Sequence, residues 1–585
     1  MQNQKNMLLA FAISLVIILG WDQFIEKPKR DAAREIARQE ALANPTPTPE
    51  PLAILRDRAE ILEEGQRIKI NTSRLHGSIN LKGARLDDLT LADYRQTTDE
   101  DSPEVVLLSP QGATDGYFVE SGWLADNIKR PDLNTVWSTE DTELAVNQPV
   151  TLSWDNGEGL LFKKIISLDE DYMFSIKQTV ANTGERAVSL FPYARTRRGG
   201  IPPDFKGFFI LHEGPLGVYN EQLEEYDYDD LADEAAPPQT TTGGWMGITD
   251  KYWLVALVPP QQMEVESATK SVQTRDGGIG YQVDWRGQGQ RVEPGATVEV
   301  STQVFAGAKE VELLDKYATT YEIPNFDLAV DWGWFYFLTR PFFWFLHWIA
   351  AMIGTWWPAI LVMTLIVKLV MLPLANKSYV SMTKMKLLQP KMMELRERFE
   401  NNPQKLQSEM MKLYKKEQVN PLSGCLPILV QIPIFFSLYK VLFVSIDMRH
   451  ASFPGWIDDM SAPDPTTIFN LFGMIPWDPP SFLMLGAWPI IMGVTMFIQT
   501  KLNPTPPDPM QAKVMMFLPI MFTILLAGFP AGLVVYWAWN NVLSVGQQYF
   551  IQRKVVARIE EEAAAKSAGK PKGKKKDGDE ADAKA

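Results

Sequence analysis

The stretch TWWPAILVMTLIVKLVMLPLA (355–375) decides the fold. It contains a single charged side chain, Lys368, in an otherwise largely apolar run of 21 residues. A bilayer core about 30 Å thick requires roughly 17–25 apolar residues per helix, so this run is long enough to cross a membrane. A lysine a few residues past the middle of such a helix costs about 2.5–3.5 kcal/mol, and charges at that depth usually pair or face water.

The other apolar runs offer no counter-charge for this lysine, because none of the five contains Asp or Glu. These runs are 7–21, 422–446, 481–500, 514–529 and 531–551. Lys368 could therefore snorkel to a headgroup, or it could lie in a water-filled pocket inside the helix bundle. Lys440 interrupts the run 422–446 nearer its end, and we expect it to snorkel.

Polar residues within the apolar runs favour the pocket. Several are four residues apart, which places them on one helix face. Each pair alone could be ordinary hydrogen bonding between helices, but their coincidence with an unpaired lysine indicates a shared groove. The candidate groove residues are Lys368, Thr364, Gln431, Thr495, Gln499, Tyr536, Asn540 and Ser544.

Charge distribution predicts six spans. Residues 375–421 and 549–585 hold ten Lys and Arg each, whereas 447–480 hold one, with five Asp. Basic short segments stay in the cytoplasm. Six spans place both basic segments inside, whereas five would leave the tail outside. Residues 7–21 could be a cleaved signal peptide, but no small-x-small cleavage site follows them, so we favour an uncleaved anchor.

The block 22–340 differs from the rest of the chain. It holds 31 Lys and Arg against 53 Asp and Glu, a net charge of −22, whereas the remainder holds 26 against 18, a net of +8. This split argues against a single soluble globule, a disordered chain and a dedicated nucleic-acid binder. One cysteine, Cys425, excludes an intramolecular disulfide framework and a multi-cysteine metal site. The topology places this acidic block on the outer, periplasm-like side.

Alternating strand formers fill most of this outer block. The segments 172–180 and 298–305 are examples, and many short strands with Gly, Pro and Asn turns predict a large antiparallel sandwich closed by a helix over 308–317. The acidic run 221–234 reads as a solvated loop; a calcium loop is conceivable but lacks EF-hand spacing. The four histidines show no metal-ligand spacing, and nothing specific supports a sugar site.

Ten aromatic residues between 332 and 348 predict a helix lying in the outer membrane interface, since aromatic rings favour headgroup depth. The alternative, a further span, would put the lysine-rich segment 375–421 outside. After the second span, 376–400 and 403–418 have the 3-4 apolar spacing of an antiparallel helical hairpin. Six methionines lie within 376–420, and plain hairpin core accounts for most of them; Met382, Met393 and Met411 lie off the seam and could contact apolar partner chains.

These features leave three functions open. A groove with a cation could solvate polar or acidic stretches of another chain as they cross. An intramembrane Ser/Lys hydrolase would use Lys368 beside Ser544. A third possibility is a structural scaffold of a translocon. A coupled pump is disfavoured because the spans have no carboxylates.

Three segments carry a family resemblance: VNPLSGCLPILVQIPIFFSLYKVL (419–442), TLIVKLVMLPLANKSYVSMTKMKLLQPKM (364–392) and DPMQAKVMMFLPIMFTILLAGFPAGLVVYW (508–537). They resemble YidC-type membrane protein insertases. The resemblance implies a monomer in the bacterial inner membrane, a polytopic α-helical protein with a five-helix core, and a periplasmic β-supersandwich. It also implies a positively charged groove whose cation maps to Lys368, where many members have Arg.

The same resemblance implies partners but no cofactor and no chemical step. The partners are nascent membrane proteins, the Sec translocon (SecYEG and SecDF), and the ribosome, because clients arrive during translation. The basic tail could contact the ribosome or anionic lipid, or remain solvated without a specific contact. Its relevant lysines are Lys570, Lys572, Lys574, Lys575 and Lys576.

The expected domain organisation follows. The amino and carboxyl termini are cytoplasmic. The segments are an anchor (1–25), a linker (26–54) with a proline-rich part (44–51), the periplasmic β domain (55–325), an interfacial aromatic helix (326–354), the second span (355–375), the cytoplasmic hairpin (376–420), the third span (421–446), a periplasmic loop (447–480), the fourth span (481–500), a cytoplasmic loop (501–513), the fifth (514–529) and sixth (531–551) spans, and the tail (552–585).

Overall fold

The computed structural model describes residues 55–205, 207, 210–274, 276–417, 419, 426–472, 474–475, 477, 479–480, 484–503 and 509–568. The predicted anchor, the proline-rich linker and the tail lysines from Lys570 onward lie outside the described residues, as does Cys425. The described chain forms two regions in sequence order. The first is rich in β-strands and the second is helical.

The outer block is built from 19 strands in two sheets. One sheet has 11 strands in the order β13-β16-β17-β10-β5-β3-β2-β1-β6, with β4 on β3 and β18 on β10; the other has eight, in the order β12-β11-β14-β15-β19-β9-β8-β7. Pairing is antiparallel except between β1 and β6. The strands are β1 Arg67–Asn71, β2 Leu75–Asn80, β3 Arg85–Arg95, β4 Glu104–Leu108, β5 Tyr117–Leu124, β6 Glu143–Leu144, β7 Val150–Asp155, β8 Leu160–Leu168, β9 Met173–Asn182, β10 Val188–Arg198, β11 Gly214–Tyr219, β12 Gln222–Glu225, β13 Gln239–Thr242, β14 Trp245–Thr249, β15 Trp253–Val258, β16 Glu264–Gln273, β17 Ile279–Gly287, β18 Gln290–Val292 and β19 Thr297–Ala308.

The alternation of buried and more exposed side chains explains why these segments form strands. Along β9 every second side chain from Phe174 onward is buried, which is the period expected when one face of a strand packs on a core. The predicted strands at 172–180 and 298–305 are therefore confirmed as β9 and β19. A helix closes the domain at Val311–Thr320, three residues later than expected.

The acidic run 221–234 is not a simple solvated loop. It supplies strand β12 and a short helix whose Tyr228 and Leu231 are buried. The prediction was wrong there because two apolar side chains among the carboxylates have a core to fill. No group of three or more His, Cys, Asp or Glu side chains that could hold a metal occurs among the described residues.

Ten helices are described, numbered here in chain order. They are α1 Arg58–Leu62, α2 Tyr228–Asp233, α3 Val311–Thr320, α4 Tyr336–Ile353, α5 Trp356–Arg398, α6 Pro403–Lys416, α7 Leu426–Val444, α8 Ala487–Leu502, α9 Pro509–Leu525 and α10 Ala531–Ala568. Helix α4 packs on α5 and α7, and α8 packs on α9 and α10. A short 3₁₀ turn and Pro530 separate α9 from α10, which confirms the predicted break.

Helix α5 has 43 residues and no break at the expected end of the second span. At 1.5 Å per residue it is about 65 Å long, about twice the thickness of a bilayer core. Pro373 and Pro390 lie inside it. Together with α6 it forms the predicted hairpin, whose seam buries Leu388 and Met392.

Length and hydropathy alone identify two described helices that can cross a membrane, Trp356–Arg398 and Met510–Gly528, with Val430–Val444 as a shorter apolar helix. Helix α4 has one buried face and one exposed face. It buries Phe343, Leu346 and Ile349, while several of its aromatic rings are exposed. A continuous hydrophobic core joins the β-sandwich to α4, α5, α7 and α10.

Candidate functional site

Lys368 forms a hydrogen bond with a serine of another helix. Its Nζ atom on α5 donates a hydrogen bond of 2.7 Å to the Oγ atom of Ser544 on α10. Ser544 in turn donates to the backbone carbonyl of Asn540, one turn earlier, at 2.8 Å. Lys368 has no ion pair within the described residues. Three predicted groove residues therefore form one small cluster, and the cation is held by a neutral hydroxyl.

Exposure along α5 shows why the lysine points inward. Leu365, Leu369, Val370 and Leu372 are exposed, and Lys368 is half-buried between α5 and α10. The apolar side chains thus cover the outer surface of the helix, whereas the cation turns toward its neighbour. This is the arrangement expected when a charged residue in a membrane helix faces the bundle interior.

A second polar contact joins α10 to α8. The amide of Asn541 donates to the Oγ1 atom of Thr495 at 3.3 Å, and Thr495 donates to the carbonyl of Met492 at 2.7 Å. The sequence analysis selected Asn540 and missed Asn541, which is buried. The sequence contains a signal that would have identified it. Asn541, Gln548 and Gln552 follow helical spacing and form a second polar stripe on α10, beside the predicted stripe.

That second stripe continues toward the basic segments. Gln548 donates to Asn503 at 3.0 Å, and Gln552 donates to the carbonyl of Leu502 at 2.8 Å. Gln547 reaches Asn376 on α5 at 3.4 Å. Polar contacts thus line α10 for several turns beyond the lysine, on the side that leads to the segments predicted to be cytoplasmic.

Other predicted groove residues lie apart from this cluster. Thr364 is buried and donates to the carbonyl of Ile360 in its own helix at 2.7 Å. Tyr536 is buried and its ring lies 6.4 Å from that of Phe435, so it forms part of an aromatic wall. Gln431 and Gln499 are half-buried and make no hydrogen bond to the cluster among the described residues.

The three hairpin methionines differ in exposure. Met393 and Met411 are exposed on the outer faces of α5 and α6. Met382 is half-buried, and its sulfur accepts a hydrogen bond from Ser378 at 3.8 Å. Two of the three residues therefore present apolar, adaptable side chains at the surface of the hairpin.

A loop covers the end of the helical region at which α8 and α10 begin. Asp464 is buried and accepts hydrogen bonds from the backbone and hydroxyl of Thr466, the indole of Trp456 and the backbone of Trp488 in the first turn of α8. The same loop receives the first N–H groups of α10, from Ala531 at 2.7 Å and Gly532 at 2.9 Å. The loop therefore covers the amino-terminal ends of α8 and α10.

Lys440 does not snorkel, contrary to expectation. Its Nζ atom lies 2.6 Å from Asp331 and donates to the carbonyl of Ile210 at 2.5 Å, both in the outer block or the segment that leaves it. Asp331 also accepts the backbone N–H groups of His212 and Gly333. The prediction was wrong because a folded partner, distant in sequence, satisfies the ammonium group better than headgroups would.

Other buried charged side chains lie near this contact between the β domain and α7. Burial lowers the pKa of Lys309 to about 8, while the attraction of Asp250 and Asp331 opposes that shift. Lys309 donates to the hydroxyl of Thr249 at 2.9 Å. Burial likewise raises the pKa of Asp447, just beyond α7. The β domain is thus joined to the helices by ionic contacts as well as by apolar packing.

We expect Lys440→Met to destabilise the protein by about 3 kcal/mol, because breaking a buried ion pair strands the other charge. Asp331→Asn should cost a similar amount. The double variant should cost less than the sum of the two, by up to about 3 kcal/mol. Thermal unfolding in detergent measures all three. Arg286→Ala is the control, since its pair with Glu266 is exposed and should contribute little. Strict additivity of the two changes would contradict the coupling.

Two family models together match most of the chain. Residues 67–345 match the family described as the YidC periplasmic domain, and residues 348–558 match the family described as the 60Kd inner membrane protein. A membrane protein insertase YidC of Methylobacterium sp. (strain 4-46) is 46% identical over 96% of this chain and 97% of its own length. The insertase of the same name from Granulibacter bethesdensis is 48% identical over 94% and 98%.

A solved structure is also similar: the crystal structure of an active YidC insertase with its first transmembrane domain resolved. It is 18% identical, covers 86% of this chain and 95% of its own, and has a TM-score of 0.34. The sequence relatives span nearly the whole chain, including a β-rich periplasmic domain and a helical carboxyl-terminal region. The chain therefore belongs to the YidC family of membrane protein insertases.

Proposed function

We propose that this chain inserts newly made membrane proteins through a hydrophilic groove centred on Lys368. The observation that supports this proposal is the 2.7 Å contact between Lys368 and Ser544, in which a neutral hydroxyl holds the cation of a long apolar helix. Since no carboxylate among the described residues pairs with the ammonium group, its charge remains available to an acidic or polar client segment. The relatives' name supplies the client class.

The mechanism we propose has two parts. The cation attracts the acidic or polar segment of a client, which lowers the cost of moving that segment into the membrane. The exposed apolar surface of α5, with Leu369 and Val370, then lets the client's apolar segment leave sideways into lipid. The loop around Asp464 would keep the groove closed on the outer side, so that a client enters from the inner side.

The proposed topology has six spans in the bacterial inner membrane, with both termini cytoplasmic and the domain boundaries expected from the sequence. Helix α4 would lie in the outer interface, which its exposed Trp344 and Trp348 support. The projecting half of α5 and helix α6 would form a cytoplasmic hairpin, and Met393 and Met411 on it would contact clients. The proposed partners are nascent membrane proteins, the Sec translocon, the ribosome and anionic lipid, with the chain itself a monomer.

Labelling of single cysteines from each side tests the groove. In a Cys425→Ser background, Asn540→Cys should react with a membrane-impermeant maleimide added from the inner side and not from the outer side. Val370→Cys is the matched control, because this position on α5 is 73% exposed on the apolar surface and should lie in lipid, inaccessible to a polar reagent. Equal reaction at the two positions, or none at Asn540→Cys, would contradict a water-filled groove.

A Ser/Lys hydrolase is the second candidate, because the distance between Lys368 and Ser544 suits such a pair. The contacts suit a charged lysine instead. A protonated amine can only donate to the serine, and the serine hydroxyl then has the carbonyl of Asn540 within reach as its own acceptor. Ser544 also lies inside α10, where backbone N–H groups bond within the helix and leave no oxyanion hole. Labelling of Ser544 by a serine-directed activity probe would favour the hydrolase; insertion by Ser544→Ala would favour the insertase.

A further inference from the structure

The loop before α8 exposes an unusual amount of apolar surface. Seven large apolar side chains between residues 468 and 477 are 37–76% exposed. We call residues 468–477 the outer apolar loop. Its exposed side chains are Ile468, Phe469, Leu471, Phe472, Met474, Ile475 and Trp477. In sequence the loop lies between Asp464 and Asp478, with no charged residue between them.

Most described N–H groups of this loop, in which 473 and 476 lie outside the described residues, bond to carbonyls of the loop or of Thr467 just before it. Phe472 donates to the carbonyl of Thr467 at 2.8 Å, and Ile475 donates to the carbonyl of Asn470 at 3.0 Å. Leu471, Met474 and Trp477 also donate to carbonyls inside the loop. An irregular segment can enter hydrocarbon only when its backbone polar groups are paired, since each unpaired group there costs several kcal/mol. This loop meets that condition at the N–H groups described.

A sharp reversal directs the side chains outward. Leu471 and Phe472 both have left-handed backbone conformations, with φ of 52° and 57°. Non-glycine residues adopt this region rarely and at a cost. Here the cost supports a tight turn that displays two bulky apolar side chains side by side. A turn facing water would gain nothing from such residues.

The position of the loop identifies what covers it. Ile468 donates to the carbonyl of Leu485, two residues before α8 begins, so the loop stands at the amino-terminal end of that helix. Along α8 the exposed Ile491, Val494 and Ile498 continue the apolar surface. The loop therefore forms the outer end of a surface that faces lipid if α8 is the fourth span.

We propose that the outer apolar loop inserts into the outer leaflet of the bilayer and contacts acyl chains there. A protein partner would leave charged or hydrogen-bonding groups around the patch, whereas this stretch is uncharged and Trp477 supplies the amphipathic ring typical of a membrane interface. The inference rests on α8 being a span and not on insertase activity. Its consequence is an anchor that fixes the depth of α8 independently of α4.

Fluorescence quenching in vesicles tests this proposal with the full chain. Met474→Cys in the Cys425→Ser background is labelled with an environment-sensitive dye and reconstituted into phosphatidylethanolamine and phosphatidylglycerol vesicles. We expect lipids with a nitroxide near the headgroup to quench the dye and aqueous iodide to quench it poorly. Phe469→Cys is a second position in the loop and should behave alike. Val136→Cys, 60% exposed on the β domain, is the control and should show the reverse pattern.

Three other outcomes would overturn the proposal. Quenching by iodide equal to that at Val136→Cys would place the loop in water. Protection from both quenchers would mean that protein covers it. Self-quenching that rises with the ratio of protein to lipid would identify a second copy as the occupant. Because insertion is not measured, failure of the anchor is distinguishable from failure of the insertase proposal.

Discussion

Lys368→Glu should abolish insertion of a client with an acidic outer tail, whereas Lys368→Arg should retain it. Two unit charges 4 Å apart interact by about 4 kcal/mol at an effective dielectric constant of 20. Reversing the sign turns that attraction into repulsion, so even strong screening by water leaves more than the 1.4 kcal/mol that corresponds to a factor of ten. We therefore expect a loss of at least about tenfold in purified proteoliposomes.

Matched clients and variants make this result specific to charge. A client with a neutral tail should insert into Lys368→Glu vesicles nearly as well as into wild-type vesicles. Ser544→Ala removes the hydroxyl contact and keeps the cation, so it should have a smaller effect than charge reversal. Full insertion of the acidic-tailed client by Lys368→Glu would refute the charge role. Failure of wild-type vesicles to insert any client would favour a scaffold function instead.

Lys368→Arg separates the charge of the cation from its geometry. The guanidinium group keeps the charge but is planar and donates through a fixed fork. It could contact both the Ser544 hydroxyl and the neighbouring carbonyl of Asn540, which lie in sequence along α10. Retained activity in Lys368→Arg would show that charge matters more than this geometry.

Local patterns predicted much of this molecule. Two such patterns are the alternation of side chains in β9 and β19 and the 3-4 spacing of the hairpin seam. Each pattern shows which face of one strand or helix is buried, so it can be recognised from that segment alone. The lysine in an apolar run indicated either a snorkelling side chain or a pocket between helices, and its amine contacts Ser544 of a second helix. These features depend on residues that are close in sequence.

Contacts between distant segments were not predictable in the same way. Lys440 was expected to reach headgroups because its own helix offers no partner, but Asp331 lies in a different part of the chain. Asn541 was missed because α10 packs on both α5 and α8, so a helix with two polar stripes was read as having one. The predicted boundary at 375 is not a helix end, because α5 continues through Pro373 and Pro390 to Arg398.

Asp464→Ala should open the groove on its outer side. The buried carboxylate accepts four hydrogen bonds, which come from Thr466, Trp456 and Trp488. Its removal leaves those donors without a partner, at about 1–3 kcal/mol for each one that stays buried, and removes a negative charge from the amino-terminal end of α8. We expect a markedly lower unfolding temperature and a loosened loop above α8 and α10.

The functional consequence of that loosening is measurable with the same cysteine. In the Asp464→Ala variant, Asn540→Cys should become reactive to maleimide from the outer side, because the loop that holds the first turn of α10 no longer seals that end. Asp464→Asn keeps one acceptor oxygen and should give an intermediate result. Asp458→Asn is the matched control, since Asp458 is exposed in the same loop. If Asp464→Ala lowers stability and outer labelling still does not appear, Asp464 supports the fold of the loop, and some other contact closes the groove.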